Sequence, residues 1–117
     1  MTLAPDYRYE LDQVVRVVDG DTVEVVLGRD VGFRCRPTWR VRLRLEGIDC
    51  PERRGTPADQ ARAHLAAQFT EAWLASGPAI VATSGRTTFE RWLATITRGD
   101  ESLADALVVA GLARRLP

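Results

Sequence analysis

Three groups of residues in this sequence carry side chains suited to chemistry. The first is Asp19-Gly20-Asp21-Thr22, set in the valine-rich run from residue 16 to 27. The second is Arg44 with Asp49 and Glu52, in the stretch RLEGIDCPE. The third is Arg91, in FERWLA. Together they supply the parts that phosphodiester cleavage needs. Negative charge grows on the phosphate oxygens as a nucleophile attacks, and fixed guanidinium groups neutralise it through a bidentate fork. A carboxylate can take a proton from the attacking water. Two aspartates and a backbone carbonyl are enough to begin a Ca²⁺ or Mg²⁺ site. A single histidine, His64, excludes most histidine-based hydrolytic schemes. The two cysteines, Cys35 and Cys50, are too few for a zinc site or a disulfide framework. Each signal also has a purely structural reading: Asp-Gly as a hairpin turn, Asp49 as a loop residue bonded to its own backbone, Arg44 as one member of a solvated stripe.

The elements that must position these residues follow from periodicity and punctuation. Residues 13–18 and 21–27 read as strands joined at Asp19-Gly20. Residues 33–45 alternate strictly, with Phe33, Cys35, Pro37, Trp39, Val41, Leu43 and Leu45 on one face and the arginines on the other. That parity expects Phe33 and Trp39 in the core, with Pro37 as an edge or bulge. A helix starts after Thr56, the N-cap, with Pro57 at its first position and Asp59 in its first turn. Its core face is expected to be Ala61, Leu65, Phe69, Ala72 and Trp73, and Gly77-Pro78 ends it. Residues 79–84 and 91–97 read as strands. Ser102 and Asp105 then cap a short helix that buries Leu103, Ala106, Leu107 and Ala110 and stops at Gly111. Five short strands with a helix between the third and fourth is the order of an OB-type barrel, an α+β fold with two packed helices.

Composition sets the outer limits. The chain has 117 residues and no net charge, which fits one domain over residues 1–117 and gives no global pull toward nucleic acid. The first ten or so residues are expected to form an irregular arm. All sixteen basic residues are arginine. Residues 29–54 hold eight of them against four acidic residues, a basic stripe beside a carboxylate cluster that suits a phosphate-bearing polymer. Arg40 and Arg42 in that stripe, together with Phe89, are expected to contact such a substrate. No apolar run is long enough to span a membrane, and no secretory leader is visible, so a cytoplasmic monomer is expected.

VVDGDTVEV, then VRLRLEGIDCPE, then FERWLATI and SLADALVVAGLA resemble, in order and rough spacing, the staphylococcal nuclease (thermonuclease) family, over about residues 13 to 113. The resemblance implies an OB-fold barrel packed by helices and a Ca²⁺-dependent nuclease acting on single-stranded or duplex DNA and on RNA. By that resemblance Asp21 and Asp49 bind Ca²⁺ through their carboxylates and Cys50 through its backbone carbonyl, while Asp19 orders the outer water shell. Glu52 is the general base, and Arg44 and Arg91 hold the phosphate. The chain departs from the family pattern at Thr88-Phe89-Glu90, where the best-known member has Lys-Tyr-Gly, and that member's third helix has no counterpart before the end in GLARRLP. A non-catalytic OB module that binds nucleic acid or a protein is the competing expectation. A third is a subunit whose core is completed by a partner.

Overall fold

The structure is a computed structural model that describes residues 7–88 and 91–117. The chain forms β1 (Tyr7–Asp19), β2 (Thr22–Gly28), β3 (Thr38–Leu45), β4 (Ile48–Asp49), α1 (Pro57–Ala75), β5 (Ile80–Thr88), β6 (Arg91–Arg98), β7 (Glu101–Ser102), α2 (Leu103–Val109) and β8 (Arg114–Arg115). The main sheet runs β3-β2-β1-β5-β6-β7. Parallel pairing of β3 with β6, Leu43 opposite Trp92 and Leu45 opposite Ala94, closes it into a five-stranded barrel. The expected α+β barrel with two helices is what the chain builds. β1 starts at Tyr7 rather than residue 13: Tyr7–Glu10, expected as an arm, pair with Thr83–Ile80 of β5.

Alternation explains the core. Val23, Val25 and Leu27 of β2 and Leu43 and Leu45 of β3 are buried, while Arg40 and Arg42 are exposed and Glu24 and Arg44 half-buried on the opposite face. Each such aliphatic side chain contributes about 1.5–3 kcal/mol by leaving water. The alternation does not run back to residue 33, however. β3 begins at Thr38, directly after Pro37, and residues 29–37 form the extended tip of the β2–β3 hairpin. Phe33 is therefore fully exposed at 102%, not in the core. Trp39 does turn inward and packs edge-on against Tyr9, ring centroids 5.3 Å apart.

The tip has an unusual backbone. Cys35 N–H donates to Gly32 O at 2.9 Å across a tight turn whose central residues, Phe33 and Arg34, both have φ of +57°. Two successive left-handed residues are the pattern of a type I′ turn, which normally holds Asn-Gly. Bulky residues in that region cost roughly 1–2 kcal/mol each. Lower down, the hairpin is fixed to β1 by Arg36, whose guanidinium donates twice to Asp12, both contacts 2.7 Å. Gly28 leaves the room for that fork, since a Cβ there would meet Arg36 and Asp12.

Helix α1 begins as its sequence expects, with Thr56 and Asp59 forming a reciprocal capping box and Pro57 in the first turn. Its buried face differs. Ala63, Ala66, Ala67, Thr70, Trp73 and Leu74 point inward, and Leu65 is 53% exposed. The reason is closeness. The helix lies on the β1–β2 turn, where Thr70 Oγ1 donates to Gly20 O at 2.6 Å. Only small side chains fit at that separation, so alanines take the core-facing positions. α2 starts at the expected cap, Ser102 accepting from Asp105 N–H at 3.3 Å, and buries Leu103, Ala104 and Leu107; Ala110 is exposed.

The same closeness makes Gly20 a strict requirement. A Cβ there would stand 2.7 Å from Ala66 Cβ and 3.0 Å from Cys50 Sγ. Gly20→Ala is expected to lower stability by about 1–3 kcal/mol through overpacking. Urea denaturation of the two proteins measures it; an unchanged midpoint would show that the turn and helix are not in this contact.

Candidate functional site

The β1–β2 hairpin turns on Gly20-Asp21, since Asp19 still pairs with Thr22, one residue later than the sequence suggests. The shift matters because it places Asp21 inside the turn, with its carboxylate directed into the structure. Asp21 is only 6% exposed. Its backbone carbonyl accepts from Leu45 N–H at 2.8 Å. Its Oδ1 accepts from Thr22 Oγ1 at 3.1 Å, and its Oδ2 from Cys50 N–H at 2.9 Å. Thr22 therefore has a task in DGDT: it holds one carboxylate oxygen.

Arg44 joins the turn to the β3–β4 corner. Its Nη1 lies 3.3 Å from Asp21 Oδ2 and donates to Leu45 O at 2.8 Å and Ile48 O at 2.9 Å. Its Nη2 donates to Asp49 Oδ1 at 3.3 Å. One guanidinium thus spans the two carboxylates that lie twenty-eight positions apart in sequence. The pair with Asp21 is largely buried, with side chains 15% and 8% exposed. Removing one partner of a buried pair typically costs about 3–5 kcal/mol, because the other charge is left uncompensated.

Two further arginines meet the site that the motifs do not reveal. β8 pairs antiparallel with β4, Arg114 opposite Asp49. Arg114 Nη2 then donates to Asp49 Oδ2 at 3.3 Å. Arg53 Nε lies 3.6 Å from Asp19 Oδ1. Neither has a sequence signal. A two-residue strand in GLARRLP carries no periodicity, and Arg53 is one of two adjacent arginines in a loop.

The other expected residues fall into place as follows. Glu52 sits exposed in the loop before α1, and its charge reaches Asp19. Cys50 presents its N–H to Asp21, and its thiol is buried beside the same carboxylate. Burial first, and the Asp21 charge second, push that thiol up to about 12, so it is an inert packing group. Arg91 opens β6, one residue before the Trp92–Leu43 pairing, so the parallel register sets it beside β3 on the face that carries Arg42 and Arg44. Arg40 and Arg42 lie 3.5 Å and 3.7 Å from Glu24, which Arg16 also approaches at 3.8 Å. Phe89 lies outside the described residues.

The donors fit a hard cation in type. Thr22, Cys50, Arg44 and Arg114 leave one lone pair on Asp21 Oδ1 and one on each Asp49 oxygen. Among the described residues no three acidic, histidine or cysteine side chains converge as a metal-binding group, so a cation here would take the rest of its shell from backbone and water. Asp19 feels the concentration of charge. Desolvation, then repulsion from Asp21, raise its carboxyl above the ordinary 3.8; Arg53 opposes this, Glu52 adds to it, and Arg44 opposes it.

That shift has a definite sign. The folded state holds the Asp19 proton more tightly than the unfolded state, so Asp19 costs stability as pH rises from 3.8 through the raised value. Asp19→Asn is therefore expected to raise the melting temperature at pH 7, with the gain shrinking toward zero as pH falls below 3.8. Thermal unfolding across that range measures it, and a variant less stable at pH 7 would contradict the assignment.

A family model described as Staphylococcal nuclease homologue matches the chain over residues 42–116. It begins at Arg42 and so leaves out the Asp19–Asp21 turn, whose place in the site comes from the contacts above. No curated protein sequence matches the chain.

Proposed function

The chain belongs to the staphylococcal nuclease homologue family, and from that membership we propose that it is a Ca²⁺-dependent nuclease hydrolysing phosphodiester bonds of DNA or RNA. The observation that carries this reading is the single Arg44 guanidinium held between Asp21 and Asp49. A cation-binding pair of carboxylates and a phosphate-binding cation are thereby fixed against one another before any substrate arrives. Preorganisation of this kind spares the site from reordering its dipoles as charge develops.

Asp21 and Asp49 would hold Ca²⁺ in this reading, together with the Cys50 carbonyl, and Asp19 would order its outer waters. The bound cation would stabilise negative charge on the phosphate oxygens. Arg44 has hydrogens to spare for the same task. Nη1 is committed to Leu45 O and Ile48 O, and one Nη2 hydrogen to Asp49, which leaves Nε–H and the second Nη2 hydrogen for a phosphate oxygen. Arg91, on the same face of the neighbouring strand, would supply a second fork. Glu52, exposed to solvent at the edge of the cluster, would accept the proton of the attacking water. The water oxygen forms the new bond to phosphorus as the bond to the 5′ oxygen breaks, and the departing 5′ oxygen takes a proton from solvent, leaving a 3′-phosphate and a 5′-hydroxyl.

One observation favours the other reading, a module that binds nucleic acid without cutting it. Both oxygens of Asp49 already rest on arginines, Arg44 and Arg114. A cation must share those oxygens or displace an arginine.

Cleavage of heat-denatured DNA separates the two. With millimolar Ca²⁺ the protein is expected to cut, with chelator it is expected to stop, and Glu52→Gln should lower the rate by about 10²–10⁴-fold, the usual contribution of a positioned base. An intact substrate after incubation with Ca²⁺ at alkaline pH would sink the hydrolytic reading and leave the binding module.

A further inference from the structure

The tip of the β2–β3 hairpin takes no part in the site, yet it carries the most exposed large apolar side chain among the described residues, set between arginines. Phe33 is fully exposed, and Val31 beside it is 50% exposed. Arg29 and Arg34 flank them, and among the described residues neither side chain has an acidic partner. The segment is held firmly all the same. Asp30 Oδ1 accepts from Gly32 N–H at 2.8 Å, Val31 N–H donates to Cys35 O at 3.1 Å, and Arg36 fastens the stem to Asp12. The turn holds Phe33 and Arg34 in a left-handed backbone that Asn-Gly would adopt without strain. A strained turn that presents an aromatic ring and a guanidinium to solvent keeps those side chains at a cost to the fold, which points to a use for them.

The strand that follows leads from the tip to the site. Arg40, Arg42 and Arg44 share one face of β3, about 7 Å apart at each step. Among the described residues Glu24 is shared by Arg16, Arg40 and Arg42, so three guanidinium groups meet one carboxylate there. The β2–β3 ladder places Gly28 opposite Thr38 at the tip end and Thr22 opposite Arg44 at the site end, about 20 Å away.

We propose that the hairpin tip is a remote binding subsite for single-stranded nucleic acid, in which Phe33 stacks on a base and Arg34 meets a backbone phosphate, with the β3 arginines tracking the strand between tip and site. The inference rests on the nuclease reading for the identity of the polymer, and it deepens that reading by assigning a length requirement. A flat ring suits any base face, and a single guanidinium suits any phosphate, so the contact is indifferent to sequence. A duplex hides its base faces in the stack, so the tip distinguishes single strands from double.

The test uses binding rather than cleavage. Fluorescence anisotropy is measured in chelator with labelled oligothymidylates of about 16 and about 3 nucleotides, one at the upper end of OB site sizes and one below their range. The double variant Phe33→Asn with Arg34→Gly restores a relaxed turn, so it is expected to melt higher than the parent while binding the longer strand roughly tenfold more weakly. Its affinity for the short strand should not change. Phe33→Asn alone should weaken binding at constant salt dependence, whereas Arg34→Gly alone should reduce the slope of log K against log salt by about 0.7, one phosphate contact. Equal affinity of parent and double variant for the long strand overturns the proposal, and so does equal binding of duplex and single strand; either outcome assigns the tip to a protein partner instead. Length-dependent binding that requires Phe33, in a protein that never cleaves with Ca²⁺, keeps this proposal and removes the hydrolytic one.

Discussion

The rest of the structure depends on where the Arg44 guanidinium is held. It satisfies the carbonyls of Leu45 and Ile48, meets the Asp21 carboxylate and reaches Asp49. Those contacts tie the β1–β2 turn to the β3–β4 corner at one end of the barrel. A charge this well buried is tolerated only when its hydrogens are placed and its counter-charge is near. The neighbouring elements meet that demand. β3 must end where Leu45 N–H can donate to the Asp21 carbonyl, and the Cys50 N–H must face the Asp21 carboxylate. The helix must come close enough to clamp Gly20 through Thr70. The candidate site and the packing of the barrel mouth draw on the same atoms, so a change that loosens one also loosens the other.

Around that point the charges are unevenly shared. Asp49 is held by two arginines and Asp21 by one, while Asp19 has only the more distant Arg53 and is pressed by its acidic neighbours. A divalent cation near Asp21 would relieve that repulsion. The arginines keep the carboxylates together without one, so the site has two ways to balance its charge.

Much of this was legible in the sequence, and the failures have physical causes. Thr56, Pro57 and Asp59 announced the start of α1 because capping is local chemistry, satisfied within four residues. The barrel order followed from strand lengths and punctuation. Arg44, Asp21 and Asp49 were picked out by type and by resemblance, and they do converge. Phe33 was expected in the core because alternation cannot tell a strand from the tip of a hairpin with the same spacing; Pro37 was the true boundary. Leu65 was expected inward because it shares a face with Phe69 and Trp73 at helical spacing. The packing instead selected Ala66, whose small side chain lets α1 rest on Gly20. Arg114 was invisible because its role comes from a two-residue strand pairing with β4, sixty-five positions away from the aspartate it meets. What escaped the sequence was set by distance between elements, not by the character of any one of them.

In the nuclease reading proposed above, Asp21 and Asp49, gathered by Arg44, form one cation site. Isothermal titration of Ca²⁺ into the protein, beside Asp21→Asn and Asp49→Asn variants shown by circular dichroism to be folded, tests it most directly. One Ca²⁺ per chain is expected for the parent protein, with loss of that heat in both variants. No binding by the parent, or undiminished binding by either folded variant, would contradict it.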